Sequence, residues 1–285
     1  MSKTSDKWLA RAGHVLLTGI VLSLLFFKDT ELRRDLYHGN WWYMAAYLAM
    51  LFFSTLTYFI ASFLDPGYVA LRVADAEEGV VFNSENTTSG NHTVHITEDE
   101  PENASERSEM LGGVSARDLR LRRCGFCDIL QPLRAKHCED CKRCVRRYDH
   151  HCPWLGNCVG ERNHKFFLTF LFAETLSVSW TVYITVNSFK SRTVVKAWFR
   201  DNWPLLLLVI FLAISLLVVG LLWICHSYMM LTAQTTWEFM SRPRISYLKN
   251  FPTDFNPFHQ GYVQNIVSFL CYFRPQQWNE LYHKN

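Results

Sequence analysis

The sequence predicts an all-α membrane protein, a bundle of four transmembrane helices with a cysteine-rich module between the second and the third. Three observations carry this. The apolar residues, 49% of the 285, gather in long blocks with the charges between them. Four of those blocks approach or exceed the ~20 residues that a helix needs to cross the hydrocarbon core. Seven of the nine cysteines fall between Cys124 and Cys158. The net charge of +3 is too small to argue for a nucleic-acid partner.

Residues 12–27 form the first block, only 16 residues long and preceded by Lys3, Lys7 and Arg11. A basic start and a short apolar run also describe a signal peptide, but Lys28-Asp29-Thr30-Glu31 follows in place of a small-residue cleavage site. The block therefore reads as a retained span with Arg11 snorkelling at the membrane edge. Residues 41–64, 24 in number and uncharged, form span two. Residues 166–189, with Glu174 as their only charge, form span three, and the uncharged residues 203–231 form span four.

Four spans place both termini, and residues 65–165, on one side of the membrane. That central segment holds 14 of the 29 Lys and Arg residues, against three in 28–40 and four in 190–202. Basic residues favour the cytosol, most strongly in shorter loops than this one. The thiols agree, because the cytosol keeps them reduced. The chain then divides into spans one and two (1–64), a cytosolic linker (65–116), a cysteine-rich module (117–165), spans three and four (166–231) and a cytosolic tail (232–285). Residues 75–110 carry ten acidic residues and one Arg, and are expected to be disordered. They include glycosylation sequons at Asn86, Asn91 and Asn103. The tail has too few consecutive apolar residues for a fifth span and is expected to pack on the module or lie against the membrane.

The module repeats itself. Cys124-x2-Cys127-x9-His137-x6-Cys144 recurs 14 residues later as Cys138-x2-Cys141-x9-His151-x6-Cys158. Each set offers three thiolates and one imidazole, the ligand complement of a closed structural zinc site. A histidine in each set makes iron–sulfur ligation less natural, and two matching sets at one offset argue against merely buried free cysteines. The sets interleave, so two Zn2+ ions would staple together a module that is short of apolar core.

Cys152 and His150 fall outside the repeat. A closed tetrahedral site has no open position, so any catalysis must come from residues that the metals leave free. Asp149-His150-His151-Cys152 places a thiol, an imidazole and a carboxylate within four residues. A neighbouring imidazole turns a thiol into a nucleophile, and a carboxylate can orient that imidazole. The same spacing also allows Asp149 to orient the metal ligand His151 instead. Pro153 and Trp154 add a rigid turn and a large amphipathic ring, features that also serve ordinary packing.

Asp149-His150-His151-Cys152-Pro153-Trp154 and its surrounding spacing resemble the cysteine-rich domain of the DHHC-type palmitoyltransferases. Asp65-Pro66-Gly67 after span two, Thr235-Thr236-Trp237-Glu238 after span four, and Asn256-Pro257-Phe258, Gly261, Asn265 and Phe269 in the tail extend the resemblance. It runs from about residue 12 to 269, interrupted by the acidic linker. Arg146-Arg147-Tyr148 and Gly160-Glu161-Arg162-Asn163-His164 look closest to one of the family's small members. The resemblance implies a four-span bundle with a cytosolic double-zinc module and two structural Zn2+ ions. It implies a protein S-acyltransferase that takes palmitoyl or similar chains from the co-substrate acyl-CoA. Cys152 would carry the acyl group, His150 would act as base and Asp149 would orient it. Thr236 would hydrogen-bond near Asp149, and Asn265 would support the tail. Ser177, reached by counting without gaps from the signature, would close the far end of the acyl slot.

Thioester exchange is close to isoenergetic, so such an enzyme must supply a thiolate and position it. CoA phosphates need cations, and Arg134, Lys136, Arg143, Arg146 and Arg147 are the candidates, with Trp154 beside the reacting thiol. Solvation or attraction to anionic lipid accounts equally well for each cation. The implied partners are proteins with membrane-proximal cytosolic cysteines and the lipid bilayer, and the implied residence is the Golgi and/or endoplasmic reticulum. A non-catalytic scaffold explains the spans and the metals but not a free Cys152 beside a free His150. A transporter has only Glu174 as an intramembrane charge.

Overall fold

The computed structural model describes residues 3–70, 122–249, 251–271, 276 and 278–284. The sequons and the predicted disorder of residues 75–110 lie outside the described residues.

Helices α1 (Lys3–Phe27), α3 (Trp41–Phe63), α4 (His164–Val186) and α5 (Val195–Leu231) each contain a segment long and apolar enough to cross a membrane. The short α2 (Glu31–Tyr37) joins the first two and starts at Thr30, whose hydroxyl accepts from the Arg33 N–H. Two spans start earlier than the apolar runs suggest. Helix α1 continues back through its basic residues, and Arg11 donates to the Ser62 hydroxyl at 2.8 Å and carbonyl at 3.0 Å while lying over Phe63. Helix α5 starts eight residues before residue 203 and passes through Pro204. Its early turns satisfy themselves locally: Asn202 donates to the Lys190 and Trp198 carbonyls, and Asp201 accepts from Arg192 and Arg200. Helix α4 ends at Val186, three residues early, where Ser188 turns its hydroxyl to accept from the Glu31 N–H at 2.9 Å.

Apolar contact gives little net drive between helices in lipid, so close packing and hydrogen bonds hold the bundle. Leu25, Leu32, Tyr47, Val178, Ile184, Leu208 and Leu212 interlock there. Tyr47 and Thr181 share a hydrogen bond of 2.9 Å, the Trp180 indole donates to Tyr43, and Ser54 donates to Glu174. Along α4, Thr175, Ser179, Thr181 and Thr185 return their hydroxyls to the carbonyl four residues back.

The cysteine-rich module adds four three-residue strands: β1 (Lys136–Cys138) with β2 (Arg143–Val145), and β3 (His150–Cys152) with β4 (Asn157–Val159), both pairs antiparallel. Strands this short show no readable alternation in sequence and are marginal alone. The turn Asp65-Pro66-Gly67 welds span two to them. Asp65 accepts from the Gly67 and Tyr68 N–H groups at 2.8 Å, and the Gly67 carbonyl accepts from Arg146. Gly67 has φ +104°, a conformation that other residues resist. Opposite it, a Cβ on Gly160 would lie 2.6 Å from the Pro66 carbonyl.

The tail folds back as α6 (Thr236–Ser241), a 3-10 turn (Arg242–Arg244), α7 (Tyr262–Cys271) and α8 (Trp278–Lys284). Asn265 is buried and donates to the Leu231 carbonyl at 2.7 Å, which ties α7 to the end of α5. Phe258 and Trp278 stack on Arg134, so the tail rests on the module.

Candidate active site and metal centres

Strand alternation sorts the ligands. Successive residues of a strand face opposite ways. On β1, His137 therefore serves one set and Cys138 the other, and this is how the two interleaved sets occupy separate sites. Residues paired across each ladder share a face: His137 with Cys144, and His151 with Cys158.

The donor atoms of Cys124, Cys127, His137 and Cys144 lie within 4.8 Å of one another, as do those of Cys138, Cys141, His151 and Cys158. In the second set His151 Nδ1 is 3.5–3.7 Å from the three sulfurs. A tetrahedral zinc with Zn–S of about 2.3 Å and Zn–N of about 2.0 Å requires S···N separations of about 3.5 Å. The first set fits more loosely, with His137 Nδ1 3.2 Å from Cys127 and 3.9 Å from Cys144. Both sets are suited to a metal ion. All four residues of each are protein donors, so neither offers an open position.

The same alternation turns His150 and Cys152 away from His151. They face the membrane helices. Cys152 is 5% exposed and packs with Tyr58 and Ala61 of α3, Leu155, and Phe167 and Leu171 of α4. His150 lies edge-on to Phe167. Its Nδ1 is 2.7 Å from Asp149 Oδ2, so that nitrogen carries a proton and Nε2 is the one left to exchange a proton. Burial alone would hold the imidazolium down. The Asp149 hydrogen bond and the neighbouring Cys152 outweigh it and push the His150 pKa up to about 9.

Asp149 is fully buried and well satisfied. The Thr236 N–H donates to Oδ1 and the Thr236 hydroxyl to Oδ2, both at 2.8 Å. Burial pushes this carboxyl up, but His164, His150 and His226 together hold it well below the usual carboxylate range. The donor pair exists because α6 is capped at Thr235 and begins at Thr236. Thr235 and Glu238 cap each other reciprocally, and the first free N–H of the helix, on Thr236, points at the carboxylate. In this arrangement Asp149 touches His150, not the metal ligand His151.

The cations considered for CoA phosphates sit in different settings. The Arg134 side chain is buried and donates twice to Glu238, at 2.7 and 2.6 Å. Arg146 pairs with Glu161 at 2.6 Å, and Arg147 is buried. Lys136 sits 3.1 Å above the Trp237 ring and Arg143 over Tyr68, both at the surface of the module. Trp154 is exposed beside Cys152. Ser177 is buried between α4 and its neighbours, with its hydroxyl unpartnered.

Sequence reading missed His226. It comes from α5, its Nδ1 is 3.2 Å from His164 Nε2, and its ring packs against Phe167 and His150. A lone histidine within a 37-residue apolar helix was the available signal.

Residues 118–243 match the family model described as DHHC palmitoyltransferase. The chain is 35% identical to the human palmitoyltransferase ZDHHC12, over 96% of its own length and 91% of the relative's. It is 37% identical to palmitoyltransferase ZDHHC12-A of Danio rerio (97% and 95%) and 35% identical to protein S-acyltransferase 10 of Arabidopsis thaliana (92% and 81%).

Proposed function

The chain belongs to the DHHC palmitoyltransferase family, and on that premise we propose that Cys152 is its acyl carrier, His150 its base and Asp149 the residue that orients the base. The protein is an integral membrane S-acyltransferase with acyl-CoA as co-substrate, and its two Cys/His sets are those of the family's zinc-finger domain. Zinc, when bound, supplies folding free energy and leaves the reacting groups to the protein.

Before the first half-reaction the Cys152 thiol has given its proton to His150 Nε2, as the raised His150 pKa favours, and the thiolate sulfur then attacks the thioester carbon. The bond from that carbon to the CoA sulfur breaks, and the departing CoA thiolate takes the proton back. In the second half-reaction a substrate thiol gives its proton to the same nitrogen and attacks the acyl-enzyme, releasing Cys152. Asp149 keeps Nδ1 protonated throughout, so Nε2 alone exchanges protons. The observation that carries this reading is the 2.7 Å hydrogen bond between His150 and an Asp149 already held by Thr236. Lys136 on β1 and the exposed Trp154, two residues after Cys152, are the proposed contacts for CoA, and Ser177 for the far end of the acyl chain. Incubation with labelled palmitoyl-CoA tests the reading. Wild type should take up label through a hydroxylamine-sensitive bond, and Cys152→Ser should not. A labelled Cys152→Ser protein would overturn it.

We further propose that the module, both termini and the linker face the cytosol, in the Golgi and/or endoplasmic reticulum, and that substrates present cysteines close to the membrane. Support comes from the concentration of Lys and Arg in residues 65–165. The sequons at Asn86, Asn91 and Asn103 should then stay bare in cells. A mobility shift on glycosidase treatment would reverse the topology.

A further inference from the structure

Two guanidinium groups are buried where the tail meets the module, and they are treated differently. Arg134 is neutralised by Glu238. Arg147 is 7% exposed and, among the described residues, makes no ion pair. One terminal nitrogen lies 3.4 Å from His164 Nδ1, and its Nε has no partner. The surrounding carboxylates are already engaged. Glu238 serves Arg134 and Tyr247, Glu161 serves Arg146 and the Trp278 indole, and Asp149 serves Thr236 and His150. Glu238, Asp149 and Glu161 support its charge from a distance, but a buried guanidinium with no direct carboxylate partner and an unsatisfied Nε remains costly. Burial, then Arg134, pulls the Arg147 pKa down to about 10, which leaves the group charged at neutral pH.

Arg147 borders a cavity of about 360 Å3. Its walls come from the ends of α3, α4 and α5 nearest the module and from α7: Ile60, Leu64, Phe166, Met230 and Phe269. Arg162 and Lys165 add two further cations to the lining, and Glu161, held by Arg146 and the Trp278 indole, adds one carboxylate. Gln276 adds a buried amide whose oxygen has no partner. Helix α7 leaves Tyr262, Val263, Val267 and Leu270 exposed, the surface with which a helix lies in a bilayer interface. Cys152 and His150 do not line this cavity.

A ligand that fits is apolar along its length and ends in one oxyanion. We propose that the cavity binds the head and the first part of the chain of an anionic amphiphile, with Arg147 as its counter-ion. The oxyanion is the phosphate of an acidic phospholipid or the carboxylate of a fatty acid. The site is separate from the acyl-transfer centre, yet His164, which Arg147 touches, lies 3.8 Å from Asp149.

The test is native mass spectrometry of the full-length, delipidated protein with three probes: phosphatidate, oleate and net-neutral phosphatidylcholine. Wild type should retain phosphatidate or oleate in preference to phosphatidylcholine. Arg147→Gln should retain about tenfold less, the loss expected for a charge-assisted hydrogen bond. Ser268→Trp, which fills the cavity from α7 and keeps the guanidinium, should do the same. Unchanged zinc content in both variants shows that the module is folded. Retention of phosphatidate alone assigns a phospholipid and retention of oleate alone a fatty acid; either supports the site. Equal retention of all three probes, undiminished retention in the variants, or displacement of the lipid by free CoA would overturn it.

Discussion

Thr236 grips Asp149 with two hydrogen bonds of 2.8 Å, one from its backbone and one from its hydroxyl, across 87 residues of chain. The tail thereby reaches into the proposed acyl-transfer centre and fixes the carboxylate that hydrogen-bonds His150. Thr236→Ala keeps the backbone donor and loses the hydroxyl. A hydrogen bond to a charged group is worth about 1.5–3 kcal/mol, so acyl-enzyme formation should slow about tenfold or more. Single-turnover labelling of Cys152 with palmitoyl-CoA measures it. Zinc content should not change, and an unchanged rate would reduce Thr236 to a packing residue.

Metal analysis separates structural from reactive cysteines. Cys158→Ser removes one donor from a closed set and should lose one of two zinc ions, together with much of the module's resistance to proteolysis. Cys152→Ser should keep both ions and the fold while losing acyl-enzyme formation. Loss of zinc from Cys152→Ser would refute the division of ligands.

The Arg134–Glu238 pair should act on stability rather than chemistry. Both side chains are almost wholly buried. Glu238→Ala strands the guanidinium and removes half of the capping box, and breaking such a pair costs about 3–5 kcal/mol. The double variant Arg134→Met/Glu238→Leu leaves no orphaned charge and should be less destabilised than Glu238→Ala alone. Thermal unfolding in detergent compares the two. Equal losses would mean that the cap, not the ion pair, dominates.

Local patterns carried the parts of this protein that were legible in its sequence. The ligand sets could be read because spacing alone determines which cysteines and histidines repeat, and the strands then separate alternate residues onto two faces. The spans could be read from length, although their ends moved where Asn202, Ser188 and Arg11 satisfied polar groups that hydropathy counts as boundaries. The ion pair of Arg134 was not legible because its partner lies 104 residues away and is brought to it only by the folded tail. The surroundings of His226 and Arg147 were hidden for the same reason. Their roles depend on what α5, α6 and α7 place beside them, and no spacing rule encodes that.

Ser177 bears on acyl-chain length. Phe167 packs against His150, and Ser177 lies ten residues further along α4, about 15 Å deeper at 1.5 Å per residue. It lines a cavity of about 80 Å3 with His14, Leu22, Tyr47, Leu51 and Leu212, between spans from all parts of the bundle. Its hydroxyl is buried and unpartnered, in contrast to the neighbouring hydroxyls of α4 that return to their own helix. A small residue here leaves room at depth, whereas an aromatic residue would close it. Each further buried methylene is worth about 0.8 kcal/mol, so two more, from palmitoyl to stearoyl, are worth about 1.6 kcal/mol, or roughly tenfold in affinity. Wild type should therefore accept stearoyl-CoA at least as well as palmitoyl-CoA. Ser177→Tyr should shift the preference to palmitoyl and shorter chains without altering zinc content. Acyl-enzyme formation across a series of acyl-CoAs, on wild type and variant, is the measurement. If the small residue serves only close helix packing, the variant will lose stability and keep its length profile, and Ser177 will have no part in the slot.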